Sequence, residues 1–252
     1  MKVFFKIILG GVWLLLLSCD SKSAWDCIKT PGTGIEYEET VEDFHSVTVR
    51  GHMDVVLIQD STRKLKVKTR QNLVRDVQVE VVDGVLFLED LGHCDIFKNR
   101  SYTTVYVSAP KLMNIRNAST GTITNEGVWK QDKIALIAEN HQDPSYYNNG
   151  VFNMHLETGS LSVLANGTSL FQLEGDAEYA DIAVFSGGAR VEAESMPIQT
   201  IKVYHRGSNH LLLQPMQAIH GEILFTGDVR VYSTPEIVEV EEKYSGRLIF
   251  VE

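Results

Sequence analysis

Glycines recur at Gly167, Gly187, Gly207 and Gly227, a period of twenty residues, and each is followed by a stretch that alternates apolar and polar. A fixed period of this length marks a chain that coils and stacks on itself, each repeat burying the apolar face of its neighbour. Twenty extended residues trace roughly 66 Å, which suits one circuit of a three-sided coil with faces of about 20 Å. Equal offsets from the glycines then put Phe171, Val191, Leu211 and Val231 in one inward row and Leu173, Ala193, Leu213 and Ser233 in the next. Leu170, Arg190, His210 and Arg230 take the intervening offset and point outward. The glycines mark a corner at which positive φ or close backbone stacking excludes a Cβ. A mixed sandwich built from hairpins is the alternative that the same spacing allows.

Upstream, short runs alternate with period two: Val47 and Val49; Met53, Val55 and Leu57; Leu65 and Val67; Val77, Val79 and Val81; Leu86 and Leu88; Val105 and Val107. This is strand periodicity, and Asp83-Gly84 between two of the runs is a type I′ hairpin signal. No ten-residue helical pattern follows residue 40, so the class is all-β, with some antiparallel strands in the N-terminal half. Thr120-Gly121-Thr122 and Thr158-Gly159-Ser160 repeat the corner at unequal intervals. The segment from Glu139 to Gly150 breaks the pattern with an irregular polar stretch that holds His141, Tyr146, Tyr147 and Asn148. Regular coils spend their residues on stacking, so this loop is the first candidate for ligand contact.

The N-terminus carries a second constraint. Lys2 and Lys6 precede an unbroken apolar run from Ile7 to Leu17, and Leu16-Leu17-Ser18-Cys19 closes it. Eleven apolar residues fall far short of the roughly 20 that a spanning helix needs, and a small residue before a cysteine fits a lipoprotein leader. The expected organisation is a signal peptide over 1–18, a tether over 19–40 and a β-solenoid domain over 41–252, with Cys19 as the site of lipid attachment. Several acyl chains would make the anchor stable, since one chain alone is marginal.

Acylation of Cys19 leaves Cys27 and Cys94, and an exported domain commonly pairs an even remainder. They are a candidate disulfide, with two free thiols as the alternative. The formal charge is −10, and loss of Lys2 and Lys6 with the leader makes the domain more acidic still. No Lys/Arg cluster of nucleic-acid type is present, so nucleic acid is excluded as a partner.

Phe44 to Val55, Val105 to Leu112, the glycine corners, and Thr226 to Tyr232 followed by Pro235 and Gly246-Arg247-Leu248 resemble the family called putative auto-transporter adhesin, head GIN domain. The resemblance covers roughly residues 40–252. It implies a right-handed β-solenoid of the pectate-lyase-like kind, found in predicted lipoproteins of the Bacteroidota, and it brings no catalytic residues. In place of the family's Ser-Gly-Ser-Gly corners the chain has Ser186-Gly187-Gly188, Arg206-Gly207-Ser208 and Thr226-Gly227-Asp228, which leaves the fold reading intact.

A polysaccharide-cleaving site on such a scaffold would need acids stacked on neighbouring coils to hold calcium. The outward row offers Arg190, His210 and Arg230 instead, with Glu192 and Glu194 on a single coil, which is the pattern of a solvated face with local charge pairing. No histidine has metal-ligand spacing, and no cofactor or metal is expected. The expected function is a non-enzymatic binding, adhesion or scaffolding module for a glycan or an envelope protein. It would be lipid-anchored in the cell envelope, with the outer membrane favoured over the inner. A polysaccharide-processing enzyme is the alternative, and the Arg190, His210, Arg230 face is the second-choice surface.

Overall fold

The computed structural model of the chain describes residues 32–92, 103–141 and 143–251. The leader, Cys19 and the Cys27–Cys94 pairing lie outside them. The described part opens with β1 (Gly34–Glu39), β2 (Ser46–Gly51), β3 (Met53–Gln59), β4 (Lys64–Arg70), β5 (Val77–Val82), β6 (Val85–Asp90) and β7 (Thr103–Ala109). It continues through β8 (Asn114–Ser119), β9 (Thr122–Glu126) and β10 (Trp129–Ala138) to four long strands, β11 (Val151–Ala165), β12 (Leu170–Val184), β13 (Arg190–His205) and β14 (Leu211–Ile223). Three short strands, β15 (Val229–Val231), β16 (Ile237–Glu242) and β17 (Leu248–Phe250), end it. All belong to one mixed sheet.

The expected strand runs all form, and the hairpin between β5 and β6 turns through Asp83 and Gly84 at φ 50° and 73°. Both central residues take positive φ, as a type I′ turn requires. The chain then stacks coil on coil in parallel: β2 on β8, β3 on β9, β8 on β10, β9 and β10 on β11, and β11 through β14 in succession. Antiparallel pairs are confined to the N-terminal end, where β4 pairs with β7, β1 with β4 and β5 with β6.

Three details differ from the sequence reading. The expected tether ends early, because residues 34–39 form β1, whose Tyr37 lies opposite Val67 and packs on the core. The coils of β11 to β14 are each one long strand rather than three separate faces, since the parallel ladder between β11 and β12 runs from Val151 to Ala165 across Gly159. The last coil is also short. Leu211 faces Val229, not Val231, and Leu213 faces Val231. A two-residue slip preserves the face on which a side chain lies. Val231 is therefore still fully buried, while Ser233 leaves the inward row and its hydroxyl donates to the Pro215 carbonyl.

Stacking explains the corners. Gly187 has φ 81°, and a Cβ there would come within 2.4 Å of the Gly167 carbonyl oxygen on the coil before. The core is a continuous file of inward side chains, in which Phe152 and Phe171 lie in register with rings 4.8 Å apart and nearly parallel.

Candidate functional site

The irregular segment leaves the stack after β10 and returns at Gly150. Both ends of the segment are held by side-chain amides. Asn117, fully buried on β8, donates to the carbonyls of Gly121 and Val151, and a side chain at residue 150 would collide with it. Asn166 bonds both Asn140 and Asn148, and the Asn148 carbonyl accepts from the Thr168 amide. Between these anchors Asp143 accepts from the amide and hydroxyl of Ser145, forming a local turn. Those two bonds hold the Asp143 carboxyl below its usual range.

The turn aims two tyrosines at the end of β2. Arg50 lies between the rings of Phe87 and Tyr146, its guanidinium carbon 5.0 and 4.9 Å from their centroids. Arg50 Nη2 donates to the Tyr146 hydroxyl at 2.8 Å, and Nη1 stands 3.6 Å from Glu89 on the adjacent strand β6. Arg50 Nε is buried without a hydrogen-bond partner. Behind Tyr146, Arg116 and Glu139 form a half-buried ion pair at 2.8 Å. Burial alone would raise the Glu139 carboxyl, but the Arg116 guanidinium and the His141 amide outweigh it and hold it low. Tyr147 remains exposed, its ring 5.6 Å from that of His52.

These residues border a cleft of about 230 Å³ whose walls include Arg50, His52, Glu89, Asp90, Tyr146 and Tyr147. A second hollow of about 270 Å³ opens on the other side of the Arg50–Glu89 pair, along Gln78, Glu80 and Phe87. An exposed aromatic face beside a guanidinium and two carboxylates can stack on an apolar ring face while hydrogen-bonding its substituents.

Of the four loop residues singled out from the sequence, Tyr146 and Tyr147 meet at this cleft. His141 is exposed and bonds through its amide to Glu139, and Asn148 faces Asn166, so neither lines it. Arg50, His52, Phe87, Glu89 and Arg116 were missed. Their one sequence signal was the break in alternation at Arg50-Gly51-His52. The second-choice face holds together only in part. Arg190 pairs with Glu192 at 2.6 Å, and Arg230 lies 3.2 Å from His210, which is itself 3.6 Å from Asp228. Among the described residues no group of three or more His, Cys, Asp or Glu could hold a metal ion.

Residues 43–235 match the family described as putative auto-transporter adhesin, head GIN domain. The chain belongs to that family. Solved structures share this fold at low identity. A putative adhesin from Bacteroides fragilis superposes with a TM-score of 0.75 at 19% identity, over 87% of this chain and 97% of that one. A putative lipid binding protein from Parabacteroides distasonis gives 0.62 at 16%, over 88% and 98%. A putative adhesin from Parabacteroides merdae gives 0.59 at 16%, over 88% and 97%. No protein of curated function matches the chain.

Proposed function

We propose that this head GIN protein is a cell-envelope lipoprotein, held in the outer membrane by acyl chains on Cys19, whose right-handed, three-sided β-solenoid of the pectate-lyase-like kind serves as a non-enzymatic binding module. The ligand is a glycan or an envelope protein, and its site is the cleft at Arg50, His52, Tyr146 and Tyr147. The observation that carries the reading is Tyr147: a large aromatic side chain, 45% exposed, presented by an anchored irregular segment beside a guanidinium and two carboxylates. An aromatic ring left in water at a concave polar site is a marker of recognition rather than of packing.

Tyr147→Ala should leave the melting temperature nearly unchanged and reduce retention on a glycan array or on cells. Tyr146 is less separable, because its hydroxyl and ring both hold Arg50. Retention that survives Tyr147→Ala would move the site elsewhere, with the Arg190, His210, Arg230 face next. For the anchor, Cys19→Ala should abolish incorporation of a palmitate analogue, and labelling of that variant would overturn the lipid assignment.

A further inference from the structure

Among the described residues, no strand lies over the last layer of the stack. The inward file Ile201–Ile219–Val238 is fully buried at its first two members and 43% exposed at the third. The file Leu213–Val231–Phe250 repeats this, with 0%, 0% and 48%. Val238 and Phe250 therefore occupy core positions over which no described residue packs. Ile237, Tyr244 and Ile249 are also exposed at this end. β16 pairs with β14 and β17 with β15, and among the described residues no further strand lies in register with either. Among the described residues the outer edge of β16 pairs with no strand, the template for adding one, while on β17 the Leu248 amide is taken by the Glu242 carboxylate at 2.8 Å.

Charge selects what fits. Along the outward row Asp181 lies beside Lys202, Lys202 beside His220 and His220 beside Glu239. The row runs acid, base, imidazole, acid, with contacts of 3.5 Å between Asp181 and Lys202 and 3.1 Å between His220 and Glu239, and it stops on an acid whose side chain is 73% exposed. Lys243 bridges Glu222 and Glu241 in the neighbouring row, where Glu241 is 72% exposed. Both acids keep most of their surface in water, so the edge is acidic and favours a cationic neighbour. A second copy of this edge would instead bring Glu239, Glu241 and Glu242 against an equally acidic strand, and like charges opposite one another destabilise a strand pair.

We propose that this open end takes an extended segment of a partner protein as one more strand, with apolar side chains over Val238 and Phe250 and Lys or Arg opposite Glu239 and Glu241. The interaction is separate from the tyrosine cleft.

The test uses the full chain and two synthetic ten-residue peptides, alternating Val with Lys and Val with Glu, followed by fluorescence anisotropy. The Lys peptide should bind about tenfold or more tightly than the Glu peptide, and the advantage should shrink with salt. Glu239→Lys with Glu241→Lys should reverse the preference, and Val238→Asp with Phe250→Asp should abolish binding of both. Tyr147→Ala should leave peptide binding unchanged, which separates failure here from failure of the cleft. All the substituted residues at this end are exposed or half-buried, so the variants should fold, and circular dichroism checks that they do. Absence of Lys-peptide binding, equal binding that persists after charge reversal, or concentration-dependent self-association lost in the Val238, Phe250 variant would overturn the proposal, the last by making a second copy the occupant.

Discussion

The two ends of the stack solve the same problem differently. At the N-terminal end the parallel coils are closed by strands that run the other way. The file Val55–Val105–Val67 is fully buried and ends on Tyr37, which is partly buried and packs against the apolar layer. Leu86 and Leu88 are likewise fully buried beneath Val81 and Val79 of the antiparallel β5. At the C-terminal end the files stop on Val238 and Phe250, both more than two-fifths exposed. A stack of coils has no edge along its length but two at its ends, and each end must be capped or used. Among the described residues, then, one end is closed by antiparallel strands and the other presents an exposed layer.

The largest test of that contrast sets a mid-stack rung against a terminal one. Leu211→Asp would bury a carboxylate between Val191 and Val229, whereas Val238→Asp would place one where water already reaches. The first should cost about 4 kcal/mol or more and the second about 1 kcal/mol or less. Urea denaturation of both variants measures the difference, and equal losses would mean that the C-terminal layer is covered. Next in size, Leu65→Ala beneath the N-terminal cap should cost about 3 kcal/mol and Phe250→Ala no more than about 1. Equal midpoints would remove the distinction between the two ends.

The capped end was the less legible of the two in the sequence. Alternation at Leu65 and Val67 identifies a strand but not its partner, and antiparallel pairing of β4 with β7 joins segments some forty residues apart. The coils were legible because their spacing repeats. Even so, the interval drifts, from 19 between Phe152 and Phe171 to 20 between Phe171 and Val191 and 18 between Leu211 and Val229. A two-residue slip leaves the buried face intact, which is why Val231 was placed inward correctly but against the wrong neighbour. The cleft was half legible. Tyr146 and Tyr147 stand out because they interrupt a regular pattern, but Arg50, Phe87 and Glu89 lie on the outward offsets of ordinary strands. Only the fold brings them to the loop.

A smaller effect probes the corners that hold coil spacing between the two ends. Ala at Gly187 would need φ 81° and would meet the Gly167 carbonyl at 2.4 Å, whereas a Cβ at Gly127, where φ is 67°, would have nothing within 4 Å. Gly187→Ala should therefore cost about 2 kcal/mol or more, and Gly127→Ala only the backbone term of about 1. Equal melting temperatures would show that corner stacking does not set the register.

The smallest expected effect asks whether water admitted at the open end penetrates to the last corners. His205 ends β13 and is fully buried, with Gly207 and Gly227 packed against its ring. Its Nε2 donates to the Asn209 carbonyl at 2.9 Å, and Nδ1 has no hydrogen-bond partner. Burial lowers its pKa, helped by His210 and opposed by the Asn209 carbonyl and Asp228. The unfolded chain then binds the proton more readily than the folded one. The stabilising contribution is complete above the unfolded value near about 6.5 and is lost as pH falls from there toward the depressed folded value. His205→Gln keeps a donor for Asn209 without the titration. Between about pH 7.5 and 5.5 the unmodified protein should lose more melting temperature than the variant. Identical slopes would mean that the imidazole titrates as a wet one, and that the exposed layer at the C-terminal end reaches at least two coils into the stack.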